Sequence, residues 1–265
     1  MKIFAISDLH LSTTAEKPMD IFGDGWQNHF EKISDDWRKK VGADDIVLLG
    51  GDMSWGLTVQ EAKPDYDLVS ALPGEKYVVK GNHDYYWNSL SKMRKEFPSF
   101  RFIQNNAYRI ESSDPHEARQ FAEQESKKNK RLSPPTEPIK QDKAVIIAGT
   151  RGWNIPSKDS TEEDIKIFNR ELVRLDLSLS SAQALRKDGD ALIAMLHYPP
   201  FEATYQSTQV TDILEKYGVD YVLYGHLHGK NVRVTPRVEK NGIEYILTSC
   251  DLVNNKLIEV CEITE

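Results

Sequence analysis

Cysteine is nearly absent from the 265 residues: Cys250 and Cys261 are the only two. A disulfide framework is thereby excluded as the source of stability. Long apolar runs are missing as well. Stretches such as 46–49 and 144–148 fall far short of the roughly 20 residues that cross a bilayer as a helix. The first residues, Met-Lys-Ile-Phe-Ala-Ile-Ser-Asp, carry neither the apolar stretch nor the small-residue cleavage site of a secretory signal. The expectation is a cytoplasmic protein with no membrane partner. Positive charge is also in deficit: 34 Lys and Arg stand against 41 Asp and Glu, a formal net charge of -7. A protein held by nucleic-acid phosphates needs a basic face. Nucleic acid is therefore disfavoured as a partner, short of a local basic patch. No internal repeat is present.

The length suits one large core, and a single domain over residues 1–265 is expected. Short apolar runs at 2–6, 45–49 and 76–79 read as buried strands. Helices are expected between them. Residues 26–40 carry Trp26, Phe30, Ile33 and Trp37 on one face; 59–72 is broken near Pro64; 87–97 is stopped by Pro98. This alternation predicts an α/β fold. The clearest helix is 161–187, with Ile165, Phe168, Leu172, Leu175, Leu179 and Ala182 in register and Ser160 with Glu163 as a capping box. The tail reads as strands at 191–196, 221–224, 231–235, 243–248 and 256–260. Residues 111–143, rich in Glu, Gln, Lys, Ser and Pro, interrupt the pattern between strand-like 107–110 and 144–148. They read as a solvated insertion rather than a flap, within which 117–128 is compatible with a helix.

Five polar clusters each follow an apolar run: Asp8-Leu9-His10, Gly50-Gly51-Asp52, Gly81-Asn82-His83-Asp84, His197-Tyr198 and Gly225-His226-Leu227-His228. Ligand sites in α/β sheets gather beyond the carboxyl ends of strands, so the five can converge. Taken singly, most have a plain alternative. Asp8 and His10, on one side of an extended chain, could be a polar strand end; Gly50-Gly51-Asp52 could be a turn; His197 could be a core histidine. Gly81-Asn82-His83-Asp84 is balanced between a turn and an acid with its orienting carboxylate. Together they supply a mixed oxygen and nitrogen set that suits Mn, Fe, Zn, Ni or Co. The donors are too many for one ion, and two ions sharing one carboxylate would use them all.

In order and wording these blocks resemble the calcineurin-like metallophosphoesterases, from Asp8 to His228. The resemblance implies a four-layer sandwich of two mixed β-sheets flanked by α-helices, with the site on loops at one edge. It implies two divalent metal ions: the first held by Asp8, His10 and His228, the second by Asn82, His197 and His226, with Asp52 bridging. It further implies that a metal-bridging hydroxide attacks phosphorus, that His83 protonates the leaving group and that Asp84 orients His83. The Ser/Thr protein phosphatases of this superfamily carry Asp-Arg-Gly after the second block and Gly-Asn-His-Glu in the third. Here Met53-Ser54-Trp55-Gly56 follows Asp52 and the third block ends in Asp84, which points away from them. The Tyr ligand of purple acid phosphatases is also absent. The chain looks more like the small bacterial-type phosphohydrolases, and the expected substrate is a small organic phosphate ester, mono- or diester. A nuclease of the same superfamily and a non-catalytic metal-binding scaffold are the alternatives. Three further residues are candidates for substrate contact. Arg151 would either grip a phosphate or cap a carboxylate. Trp55 would line the pocket beside Asp52. Tyr85, with Tyr86 and Trp87, would stack on a base or sugar, although core packing suits Trp87 better.

Overall fold

Ile3 and Ala5 face one side of the first strand while Phe4 and Ile6 face the other, and all four are buried. A strand buried on both faces belongs inside a layered structure. The computed structural model describes residues 1–111, 120–123, 144–229 and 231–263. In chain order the first elements are β1 (Lys2–Ile6), α1 (His29–Lys40), β2 (Ile46–Leu49), α2 (Val59–Ser70), β3 (Glu75–Val79), α3 (Leu90–Glu96), β4 (Phe100–Ile103), β5 (Asn106–Glu111) and β6 (Gln120–Glu123). There follow β7 (Ala144–Thr150), α4 (Glu162–Leu185), β8 (Ala191–Leu196), α5 (Gln209–Lys216), β9 (Tyr221–Tyr224), β10 (Arg237–Lys240), β11 (Ile243–Leu247) and β12 (Ile258–Glu262).

Two mixed sheets result. One has 5 strands in the order β12-β1-β2-β3-β4, parallel except for β12; the other has 7, in the order β10-β11-β9-β8-β7-β5-β6, with a parallel centre from β11 to β7. Ile3, Ala5, Ile46, Leu48 and Val79 of the first sheet meet Ile110, Val145, Ile147, Ile193 and Met195 of the second in a shared core. The alternate residues face outward. Phe4, Ile6, Val47 and Leu49 pack under Trp37 of α1, Tyr66 of α2 and Met93 of α3. Ile146, Ala148, Leu192 and Ala194 pack under Phe168 and Leu179 of α4 and Leu214 of α5. The layers therefore run helix, sheet, sheet, helix, the expected α/β architecture. No helix among the described residues is long and apolar enough to cross a membrane.

Several local expectations are corrected. α1 starts at His29, because residues 24–26 form a 3₁₀ turn and Asn28 sits at φ 47°. α2 runs unbroken through Pro64. A proline there costs about 3 kcal/mol, but Thr58 caps the helix and Val59, Ala62, Tyr66 and Val69 bury one face of it. α3 begins only at Leu90, capped by Ser89. The capping box of α4 is Thr161 with Asp164, one residue beyond Ser160 and Glu163. Residues 231–235 are not a strand; the edge strand is β10, turned into β11 through Asn241 and Gly242, both at positive φ. Within the insertion, 120–123 is a strand antiparallel to β5 rather than part of a helix, and the rest of 117–128 lies outside the described residues. β4 and α5 are further elements, beyond those expected from the sequence pattern.

Leu179 has no solvent exposure and lies where α4 meets the second sheet. Leu179→Ala is expected to cost about 2–5 kcal/mol, read as a lower urea midpoint at unchanged slope. A loss well under 1 kcal/mol would mean that α4 does not seal this core.

Candidate metal centre

All five polar clusters sit at the carboxyl ends of parallel strands, three in the first sheet (β1, β2, β3) and two in the second (β8, β9). Neighbouring strand ends are tied to one another by backbone hydrogen bonds. Asp8 N donates to Gly51 O at 2.9 Å, His10 N to Asp52 O at 2.9 Å, and Gly225 N to His197 O at 3.0 Å. The extended path expected for Asp8 and His10 is not what occurs: both have left-handed backbone, φ 61° and 45°, as do Asp52 (53°) and His226 (68°). Such positions cost of order 1–3 kcal/mol each and persist only where the surroundings force them. Two glycines make room for the carboxylates. A Cβ at Gly225 would strike Ser7 Oγ and Asp8 Oδ2, and one at Gly81 would strike the Asp52 carboxylate.

The donors fall into two groups around Asp52. In the first, Asp8, His10 and His228 offer atoms that all lie within 4.8 Å of one another, with His228 Nε2 3.1 Å from Asp8 Oδ1. In the second, Asn82 Oδ1 is 2.7 Å from His197 Nε2 and 2.8 Å from His226 Nδ1. Asp52 Oδ2 lies between them, 3.6 Å from His10 Nε2 and 3.5 Å from His197 Nε2. All seven expected ligands are thus gathered at one place.

Residues 1–230 match the calcineurin-like phosphoesterase family. The chain belongs to that family. Metal-dependent hydrolysis of phosphate esters is the chemistry that membership brings. Solved structures similar to this phosphoesterase include the phosphopantetheinyl hydrolase of Mycobacterium tuberculosis, 14% identical with a TM-score of 0.53, covering 98% of this chain and 95% of that one. A protein of Thermus thermophilus gives 14%, 0.53, 97% and 97%. The anchor in the inner membrane complex of Plasmodium gives 14%, 0.52, 95% and 72%. At such identities the likeness is one of fold. No curated protein matches the chain.

The donor set of the phosphoesterase fits divalent cations on three counts. Asp8 and Asp52 are 0% and 1% exposed, and among the described residues only imidazoles form ion pairs with them. His10 Nδ1 is buried without a hydrogen bond. His197 Nδ1 faces the Gly50 carbonyl at 2.9 Å, which turns Nε2 toward Asn82 Oδ1 at 2.7 Å, so a ring nitrogen and an amide oxygen face one position.

Without metal, the electrostatics are strained. Burial, with the nearby Asp84 and Asp8 charges, pushes Asp52 up to about 7 despite His197. Burial alone would raise Asp8 too, but His228, His197 and His10 outweigh it and hold the carboxyl well below its usual range. Burial lowers His10 to about 3 and His226 to about 4. His228 moves the other way: burial opposes its charge, yet Asp8 and Asp251 raise it to about 10.

Asp251 is the residue that sequence reasoning missed. Its Oδ1 accepts from His228 Nδ1 at 2.9 Å and its Oδ2 from Gly229 N at 2.9 Å. This orients His228 so that Nε2 points to Asp8, the carboxylate–histidine arrangement common behind metal ligands. The signal was available, since Ser249-Cys250-Asp251 follows the apolar β11 as the other clusters follow their strands.

The remaining candidates divide. His83 is half-buried, its ring against Trp55 (4.4 Å) and His10 (5.5 Å), its Nδ1 3.4 Å from Tyr85 Oη. Asp84 does not orient that imidazole. Its Oδ2 accepts from Asp52 N (3.0 Å) and Gly81 N (2.7 Å), its Oδ1 from Met53 N (2.9 Å) and Tyr86 Oη (2.7 Å). Those four bonds use the carboxylate to clamp the Asp52 turn to the Gly81 turn. Tyr86 and Trp87 are buried in the core, whereas Tyr85 is 55% exposed at the mouth of the site. Trp55 stacks on His10 at 4.9 Å, with Lys17 Nζ 4.1 Å from its ring. Arg151 sits over Trp153 at 4.6 Å and 3.7 Å from Glu171, beside the centre rather than in it.

Metal ligation needs Asp52 ionised and His228 neutral, whereas the free protein holds protons on both as far as about 7 and about 10. Loading with Mn²⁺ at pH 7 should therefore release about one to two protons and tighten as pH rises from 6 to 9, measured by indicator dye and calorimetry. Affinity that falls with pH would contradict the assignment. Asp251→Ala should weaken metal binding about 10–100-fold with the fold intact by circular dichroism. Unchanged affinity would show that Asp251 does not support His228.

Proposed function

We propose that this protein is a binuclear metal-dependent hydrolase of small organic phosphate esters, with His83 as general acid. One observation carries the reading: a single buried carboxylate oxygen, Asp52 Oδ2, stands 3.6 and 3.5 Å from nitrogens of two separate donor groups. Asp8, His10 and His228 would hold one ion, Asn82, His197 and His226 the other, and Asp52 both. Two such ions, when bound, lower the pKa of a shared water and polarise phosphoryl oxygens.

The chain's own residues supply positioning and the proton. Asp52 Oδ1 accepts from His83 N at 2.8 Å, so the carboxylate that joins the donor groups also fixes the backbone of the acid. Tyr85 occupies the Nδ1 side of His83 and leaves Nε2 without a hydrogen bond among the described residues. Burial first, and then His197, lowers His83 below its ordinary value. A phosphate dianion brought against the ring acts the opposite way, favouring the imidazolium. Protonation of the acid thus accompanies substrate binding. Trp55 packs on one side of His83 and limits where a leaving group can lie.

A departing alkoxide needs the proton and p-nitrophenolate scarcely does. General acid catalysis is worth about 10²–10⁴-fold. In metal-loaded protein, His83→Ala should retain two ions by elemental analysis, lose about that factor on alkyl phosphates, and lose much less on p-nitrophenyl phosphate. Equal losses on both esters would remove His83 as the acid. A wild-type protein that takes up one ion, or hydrolyses no phosphate ester, would end the reading.

A further inference from the structure

Beside the metal centre is a cavity of about 160 Å³. A water needs only about 10–15 Å³, so a larger group fits. Its lining is cationic in an acidic protein. Lys80 reaches it from the end of β3, Thr150 and Arg151 from the end of β7, and Arg170 and Arg174 from α4. One carboxylate organises them: Glu171, 2% exposed, accepts from Thr150 Oγ1 at 2.7 Å and Arg174 Nη1 at 2.8 Å, with Arg170 Nε at 3.5 Å and Arg151 Nη2 at 3.7 Å. Four cations line the cavity, and the single carboxylate of Glu171 is shared among three of them.

Two lining residues also hold unused donors. Arg151 Nε is buried with no hydrogen bond, and so is Trp87 Nε1 on a ring only 3% exposed. A buried donor left unpaired costs about 1–3 kcal/mol. An oxyanion accepts from several donors at once and neutralises part of the surplus charge.

The cavity also adjoins the reaction site. Lys80 is two residues from Asn82, so their Cα atoms lie within about 7 Å. The Arg151 carbonyl accepts from His197 N at 3.0 Å. A row of rings joins the two places: Tyr198 is 4.1 Å from His226 and 5.1 Å from Trp153, over which Arg151 lies.

We propose that this cavity is a phosphate-binding subsite beside the metal centre, taking either a second phosphate of the substrate or a free phosphate ion. The first source rests on the hydrolase reading above; the second does not. The substrate class is then an ester bearing another phosphate several bonds from the scissile one.

Two measurements on the full metal-loaded protein test it. The first compares kcat/KM for alkane bisphosphates and alkyl monophosphates of equal chain length. Wild type should favour the bisphosphate by about tenfold or more. Arg170→Gln, at a half-exposed position, should move that ratio toward one. Arg174→Lys, which keeps a cation beside buried Glu171, should preserve most of it. The second titrates inorganic phosphate by calorimetry, where Arg170→Gln should weaken one class of binding about tenfold or more. A shifted ratio identifies the substrate's own phosphate; weakened phosphate binding with an unshifted ratio identifies the free ion. If Arg170→Gln changes neither, the subsite is overturned. If no ester is turned over, the hydrolase reading has failed, and phosphate binding alone then decides the subsite.

Discussion

Burying Asp8 and Asp52 together is the constraint on which the rest of this structure depends. Taking a carboxylate out of water costs several kcal/mol unless charge or hydrogen bonds compensate, and here no Lys or Arg forms an ion pair with either among the described residues. Part of the compensation is local. Ser7 donates to Asp8, His226 N lies 3.1 Å from Asp8 Oδ2, and His83 N reaches Asp52. Part of it is protonic, with His228 held charged and Asp52 pushed toward neutrality. Both devices are what metal-free protein must do with a site shaped for cations. The left-handed backbone at Asp8, His10, Asp52 and His226 belongs to the same account. It is backbone cost tolerated to aim donors inward, and the sheet cores on either side hold it in place.

The donors come from both sheets. Asp8, His10, Asp52 and Asn82 hang from the first, His197, His226 and His228 from the second. Their mutual distances are therefore set by how the sheets pack, through Ile3, Ala5 and Leu48 against Ile147, Ile193 and Met195. The turns carry further ties across this seam: Ser7 N to Thr248 O at 2.8 Å, Thr248 Oγ1 to Ser7 Oγ at 2.9 Å and His197 Nδ1 to Gly50 O at 2.9 Å. A cation held from both sides binds the folded chain and not the unfolded one, so metal affinity and sheet packing are linked terms.

What was legible in the sequence follows from range. The layers were readable because each central strand is a continuous apolar run, and the seven ligand candidates because each follows such a run. Asp251 obeys the same rule, following the apolar β11, and was missed. Asp84 was misread for a deeper reason. Adjacency to His83 suggested a partnership, but adjacent side chains in a turn diverge, and its real partners, Asp52 N and Met53 N, are 32 and 31 residues away. Pro64 shows the same limit: a local breaker was overruled by a helix face buried against the sheet. β4, whose Phe-Arg-Phe-Ile run is interrupted by Arg101, and α5 form because their neighbours supply the pairing and the core.

Five histidines stand at this centre, and residue type alone cannot divide their work. Their second nitrogens can. His197 Nδ1 meets the Gly50 carbonyl and His228 Nδ1 meets Asp251, so in each it is Nε2 that is aimed inward. His226 turns Nδ1 itself toward Asn82. His10 is wedged between Trp55 and Trp26 with one nitrogen toward Asp52 and the other unbonded. In His83 alone the nitrogen with a partner faces the exposed Tyr85 hydroxyl, and its backbone, not its ring, is tied to Asp52. A ring anchored through its main chain and open toward solvent can gain a proton from water and pass it on. Rings whose Nδ1 is committed to Gly50 or Asp251 present a fixed Nε2 to the centre. The partition we propose between ligand and acid thus follows the hydrogen bonds behind each imidazole, which depend on the turns after β2 and β11 rather than on the histidine motifs themselves.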